Sequence, residues 1–246
     1  MDPVAVSAAS GLRSRMEALD MLANNLANAS TGGYKLDREF YSLFTVANDS
    51  MEAGDTPTRL PVVQKQWTDF SQGTLQPTGG PLDLALSGKG FFQATGPSGP
   101  LYTRNGSFVL NQTGVLSTAE GYPVTATGGG NIQTQSSAPI TVSQDGTVEQ
   151  GGQTLGQIQV VNFQDTTMLD KVGTGYFTNH NPTVSPTPAT DTTVQQGKIE
   201  GSNVAPAESA VRLVGLMRQY EMLQKAITLT TDMNKKALDD VARVAG

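Results

Sequence analysis

Residues 5–28 read AVSAASGLRSRMEALDMLANNLAN, and within this run Ala5, Ala9, Leu12, Met16, Leu19, Ala23 and Leu26 recur at alternating spacings of four and three. An apolar line with a period of 3.5 residues marks a helix that packs against another helix. Ser7, Arg13, Arg15, Glu17, Asp20 and Asn24 take the other face. The run ends where residues 28–33, NASTGG, favour a turn over further helix. The far end of the chain repeats the pattern, with an apolar line at Leu213, Leu216, Tyr220, Leu223 and Ile227. Pro206 suits a first helical turn, Ser202 or Asn203 supplies a cap, and Glu208 favours the positive end of the helix dipole. The pattern weakens after Thr228, so the tail is expected to fray. A helix of about 24 residues spans roughly 36 Å, and alone in water it is marginal because its stability comes from packing its apolar face. The two ends are therefore expected to pair as a coiled-coil-like stalk and to meet neighbouring copies. By pattern alone, a private two-helix stalk and a polymer contact are equally compatible.

Between the helices the chain changes character. From Gln72 to Tyr176, short apolar runs such as LDLAL (82–86), GFFQA (90–94), GVLST (114–118) and QIQVVNF (157–163) are broken by Asn111–Gly114, Glu120–Gly121 and Asp145–Gly146. Turns at this spacing give an all-β rhythm. The predicted fold class is mainly β with α-helical termini. Its segments are a helix and motif at 1–35, a connector at 36–71, a central β domain at 72–178, a Pro/Thr-rich linker at 179–200 and a C-terminal helix at 201–246. Phe91 and Phe92 point to opposite faces if they share a strand; one is expected in the core, leaving the other for a partner. Tyr102 and Phe108 are read as core, and Trp67 as docking the connector onto the β domain.

The chain has 246 residues, room for one large domain or two modest ones. Hydrophobic residues are 37% and charged residues 15%, both below the globular average, and 27 glycines help fill the gap. This composition suits turn-rich β structure with polar outer faces. The net charge of −6, with Lys and Arg scattered singly, argues against nucleic acid, which requires clustered cations. No cysteine is present, which excludes disulfides and thiolate metal sites. No stretch approaches the roughly 18 apolar residues of a membrane span. The N-terminus lacks the cationic start and long apolar core of a secretory signal, so an exported chain would keep its N-terminus.

No catalytic residue, cofactor or metal site is expected. The single histidine, His180, sits in the Pro/Thr-rich stretch and makes a poor general base or ligand there. Residues 87–90, SGKG, lack the spacing of a phosphate loop, and Gly128–Gly130 has no helix to open. The competing non-enzyme reading is a secreted β-rich adhesin or carbohydrate-binding module on a helical stalk.

Three blocks carry a resemblance. Residues 23–35, ANNLANASTGGYK, follow the first helical line. In the middle stand GGPLDLAL (79–86), GKGFF (88–92) and YTRNGSF (102–108). Near the end come IEGSNV (199–204) and RQYE (218–221) followed by Lys225. Together they resemble the bacterial flagellar rod and hook proteins across nearly the whole chain. The length resembles the rod members, and residues 218–225 resemble the proximal rod protein most, with the distal rod protein close behind.

That resemblance implies a structural subunit of the flagellar basal-body rod, exported by the flagellar type III apparatus without signal cleavage. It implies a helical tube across the periplasm acting as a drive shaft, with terminal helices inside and β domains outside. The implied partners are copies of the chain itself and other rod and hook proteins. Predicted subunit-interface residues are Leu12, Met16, Leu19, Asn24, Asn25, Leu26, Asn28, Gly33, Tyr34 and Lys35 at one end. At the other they are Ser202, Asn203, Val204, Leu213, Leu216, Arg218, Tyr220, Glu221, Leu223 and Lys225. The asparagines are expected to fix the exit from the helix and make polar contacts to a neighbour, and Gly33 to permit a sharp turn. Arg218, Glu221 and Lys225 are expected to form spaced ion pairs that fix register.

Overall fold

The computed structural model describes residues 3–46, 58–135, 138–181 and 183–244. The chain is mainly β, with helix α1 at Pro3–Ala27 and helix α2 at Pro206–Val244. It divides into two compact units: Met1–Ala27 with Asp37–Thr68 and Ala205–Gly246, and Asn28–Leu36 with Asp69–Val204.

The first unit holds both helices and a ribbon. Strands Asp37–Val46 and Thr58–Thr68 pair antiparallel, with Asp37 opposite Thr68, Val46 opposite Thr58 and a slip at Phe40/Tyr41. Residues 36–71 were expected to be a mere connector. Their aromatic and β-branched residues instead form this ribbon, and Pro61 is tolerated because every strand of a two-stranded ribbon is an edge. Residues 48–61 read as a polar linker interrupted by Pro57 and Pro61; residues 48–57 of it lie outside the described residues, and 58–61 open the second strand. The Thr68 hydroxyl donates to Asp37 Oδ1 at 2.7 Å and closes the ribbon's base. Trp67 remains half exposed, with the Arg38 guanidinium 5.8 Å from its ring centre, so its partner is the strand opposite. Helix α2 runs unbroken past Thr228. The hydroxyls of Thr228, Thr230 and Thr231 donate back to the carbonyls of Gln224, Ala226 and Ile227, which reconciles these residues with helix. Among the described residues, no helix is long and apolar enough to cross a membrane.

The second unit is the β unit. Its largest sheet is antiparallel, in the order Leu169–Val172, Tyr176–Asn179, Gly99–Thr103, Phe91–Gly96, Val160–Asn162, Thr187–Pro188. A three-stranded sheet orders Gln153–Gln157, Thr147–Gln150 and Ile140–Val142. The alternation at Phe91–Phe92 is as read, but neither ring is free. Phe92 enters a cluster with Leu84, Leu86, Phe108, Leu116 and Val124, while Phe91 enters one with Tyr102, Val161, Phe163, Leu169 and Phe177. Edge-to-face ring pairs at 5.1 Å (Phe92–Phe108) and 5.7 Å (Phe91–Phe177) stitch each cluster.

The stretch 179–200, expected as an extended linker, is integral to this unit. Strand Thr193–Gln196 pairs with Leu84–Ser87, and Lys198–Glu200 with Leu75–Pro77. Val194 is buried in the Phe92 cluster. The Gln196 amide donates to the carbonyls of Pro81 and Ile140 and accepts from Val142 N. Its polar composition concealed a strand that turns Val194 into the core and bonds the Gln196 side chain inward.

Candidate functional site at the junction of three sequence blocks

Three stretches far apart in sequence meet inside the β unit. The first is the turn after α1. Thr31 N donates to the Asn28 carbonyl at 3.1 Å, and Gly33 takes φ +67°. A Cβ at Gly33 would stand 2.2 Å from Asn105 N, so both its left-handed backbone and its close approach require glycine. The turn delivers Tyr34 and Lys35 into the interior, at 1% and 0% exposure. The second stretch supplies Arg104 and the third Glu200, both buried.

Glu200 is the hub. Its Oε1 accepts from Lys35 Nζ at 2.5 Å and from Gly73 N at 2.9 Å, and its Oε2 accepts from Arg104 Nη1 at 3.1 Å. Its carbonyl accepts from Gly33 N at 2.7 Å. Lys35 Nζ also donates to the Ser71 carbonyl at 2.6 Å, and Arg104 Nη2 to the Gly88 carbonyl at 2.8 Å. Two cations thus share one carboxylate. Burial pushes the Lys35 ammonium below its ordinary pKa, and Glu200 pulls against that shift. Burial likewise lowers Arg104, again opposed by Glu200. Arg104 Nε has no hydrogen-bond partner among the described residues, and the guanidinium lies 5.5 Å from the Phe91 ring centre. Asn203 braces the same junction, with Oδ1 accepting from Leu36 N at 2.8 Å and Nδ2 donating to the Asp69 carbonyl at 2.7 Å. Lys171 Nζ donates to the Lys35 carbonyl at 2.7 Å and stands 4.0 Å from the Tyr34 ring centre. A buried charge cluster of this kind does little for net stability but penalises every wrong arrangement.

The helices present a different surface. In α1 the buried line is Ser14, Ala18, Leu22 and Asn25. This helix touches α2 and strand Thr58–Thr68, and a Cβ at Gly11 would lie 3.9 Å from Leu223 Cδ1. The expected seam lies roughly 125° away around the helix. Leu12, Leu19 and Leu26 are half-buried there, while Ala9, Met16 and Ala23 are exposed; the Ala5 side chain is outside the described set. Small residues permit the closer approach, which is why they face inward. In α2 the expected line does turn inward, with Leu213, Leu216, Tyr220, Leu223 and Ile227 all half-buried. A second line, Val211, Met222, Leu229 and Met233, stands 61–74% exposed. It lies roughly 145° from the first.

Three family models match the chain in order. The one described as "Flagella basal body rod protein" matches residues 4–35, "Flagellar hook protein FlgE/F/G D1 domain" matches 85–150, and "Flagellar basal body rod FlgEFG protein C-terminal" matches 195–240. The flagellar basal-body rod protein FlgF of Caulobacter vibrioides is 34% identical over 92% of this chain and 92% of its own length. The chain belongs to the flagellar basal-body rod protein family. The rod protein FlgG of Buchnera aphidicola (from Acyrthosiphon pisum) is 32% identical over 92% of this chain and 95% of its own length. FlgF of Mesorhizobium japonicum is 30% identical over 96% and 95%. This is a family of structural proteins, and these relatives give no support to an adhesin or carbohydrate-binding module.

Within this rod-family chain, the predicted interface residues divide. Asn25, Gly33, Tyr34, Lys35 and Val204 are buried within their own units and are internal fixtures. The Asn25 side chain bridges to Asp37, donating to its carbonyl at 2.8 Å and accepting from its N–H at 3.0 Å. Asn28 Oδ1 accepts from the Thr31 hydroxyl. Ser202 Oγ accepts from Val204 N, so neither Ser202 nor Asn203 caps α2, which opens on Pro206. No ion pair joins Arg218, Glu221 and Lys225 among the described residues, and all three are exposed. Asn24 is exposed as well. Sequence reasoning missed Arg104 and Glu200 as site residues. Both stood inside blocks already singled out, Arg104 in YTRNGSF and Glu200 in IEGSNV, but nothing in either block marks its charge as buried. His180 is exposed, with Nδ1 3.4 Å from Asp170 Oδ1.

Proposed function

We propose that this chain is a structural subunit of the flagellar basal-body rod that polymerises through its helical unit. In the polymer it acts as the periplasmic drive shaft transmitting torque for motility. It reaches its place through the flagellar type III export apparatus, retains its N-terminus, and joins copies of itself and other rod and hook proteins. The observation that carries the assembly reading is the exposed apolar line on α2, with the partly exposed line on α1 that includes Met16 in support. The inward lines pair the two helices as a coiled-coil-like stalk; the outward lines face the next copy.

The outward line of one copy is read as meeting a different surface of the next, head to tail. A heterologous contact propagates, and if its rotation does not close it builds an open helical filament. Covering four large apolar side chains contributes up to roughly 6–12 kcal/mol. Association costs about 4–15 kcal/mol in lost freedom. A single contact is therefore marginal, and a lattice in which each subunit meets several neighbours is favoured. Whether the subunit sits proximally or distally is read from residues 218–225, which favour the proximal position.

The test is a chain carrying Met222→Glu and Leu229→Glu. Sedimentation at rising concentration is expected to show loss of assembly while circular dichroism of the monomer stays unchanged. The variant gene should also fail to restore motility to the parent bacterium lacking its own copy. Normal swimming and normal assembly would overturn the reading.

A further inference from the structure

We propose that the buried carboxylate of Glu200 gates the docking of residues 28–36, so that this segment seats on the β unit only once the strand carrying Glu200 is in place. Lys35 and Glu200 are 165 residues apart in sequence, and the two apolar clusters of the β unit form between them. Lys35 is fully buried, and the one carboxylate bonded to its ammonium is that of Glu200. Without it, docking would bury Lys35 beside Arg104, two cations with no shared anion. An ammonium left in water carries no such penalty. The segment's other attachments point the same way. Gly33 N donates to the Glu200 carbonyl, Leu36 N to Asn203 Oδ1, and Asn203 N to the Tyr34 carbonyl at 3.4 Å. The rest of the unit supplies the Ser71 carbonyl and, as a weaker influence than Glu200, the charge of Asp69, neither of which takes the place of the carboxylate bonded to the ammonium.

The consequence is an order of events. Residues 28–36 follow α1 directly, and residues 200–204 precede α2 directly. Both chain connections at this junction therefore close together, as the last step in completing the β unit. A chain whose final fifty or so residues are not yet available keeps the segment after α1 open.

Amide hydrogen exchange on the full-length chain tests this. Gly33, Leu36 and Asp69 report docking, since Asp69 N donates to the Leu36 carbonyl at 2.9 Å; Leu116, Val124 and Ile158 report the core. Glu200→Gln is expected to accelerate exchange at the three docking amides by at least about tenfold while the core amides hold. Adding Lys35→Met to Glu200→Gln removes the cation that the segment must bury, and should restore much of the protection. Unchanged exchange in Glu200→Gln would overturn the gate. So would failure of the second substitution to rescue, because the segment would then depend on strand pairing rather than charge. If Glu200→Gln loosens the core as well, Lys35→Met alone decides: the gate predicts a docked segment, and an undocked one would show that the Lys35 side chain is needed for packing.

Discussion

The β unit and the helical unit place their apolar residues in opposite ways. In the β unit even adjacent residues, Phe91 and Phe92, are covered on both faces of one strand. In the helical unit α2 keeps Val211, Met222, Leu229 and Met233 in water while half-covering another line. The β unit covers its apolar residues within itself; under the proposed function the helical unit is completed by other copies. Such a stripe is what the proposed assembly would cover. The difference also separates two meanings of a family motif. The blocks around Lys35, Arg104 and Glu200 hold the β unit together, while the outward faces of the helices are the ones proposed to meet other subunits.

The largest break in that contrast comes from the β unit's core. Phe92→Ala removes a fully buried ring that packs edge-on against Phe108. It is expected to cost about 3–5 kcal/mol in denaturant-induced unfolding followed by β-sheet circular dichroism. A loss under about 1 kcal/mol would mean the cluster is loosely packed and the two units are less different than they look.

Next come the buried charges. Glu200→Gln orphans two cations, and because undocking of residues 28–36 returns Lys35 to water, its cost in global unfolding should stay below that of Phe92→Ala. Arg104→Met removes one cation and leaves Lys35 matched one-to-one with Glu200, so its cost should be smaller. Equal costs in urea titrations would show that packing of the Arg104 side chain, not its charge, matters.

What the sequence disclosed follows from the same physics. Periodicity located both helices and the β rhythm, because 3.5- and two-residue repeats are local. It did not mark the buried line of α1, Ser14, Ala18, Leu22 and Asn25, because Leu12, Met16 and Leu19 are more hydrophobic than Ser14 and Ala18. Close helix approach rewards small size, which a hydrophobicity pattern does not register. The strands at 193–200 hid behind Thr and Gln because Gln196 is satisfied by carbonyls from residues 81 and 140, far away in sequence. Arg104 and Glu200 were visible as letters. Their meeting is a tertiary event that no spacing encodes.

The pH response sharpens the comparison further, because the perturbed groups with opposing signs both belong to the β unit. Lys35 has a folded pKa below its unfolded value, so between those values the unfolded chain binds more protons and stability rises with pH. That window ends near the ordinary lysine pKa of 10.5. Tyr176 is shifted the other way, upward, by burial and then by its hydrogen bond to Glu120. Above pH about 10 the unfolded chain loses that proton first, and stability falls. Urea midpoints from pH 8 to 11 should therefore rise and then turn over. Lys35→Met should flatten the rise, and Tyr176→Phe should soften the fall. A monotonic curve that neither substitution alters would remove both groups from the account.

The smallest effect on the monomer is expected where the apolar residue is most exposed. Leu229 is 63% exposed, on the outward line of α2, whereas Leu216 lies half-buried on the inward line. Leu229→Ser should change monomer stability by no more than about 0.5 kcal/mol. Leu216→Ser should cost more, since it strips contacts already made inside the subunit. In assembly the order reverses: Leu229→Ser should raise the concentration needed to form polymer while its monomer melts like the parent chain. A Leu229 variant that unfolds α2 in dilute solution would show the outward line to be part of the subunit's own core. The contrast between a finished unit and an unfinished one would then have to be drawn elsewhere in the molecule.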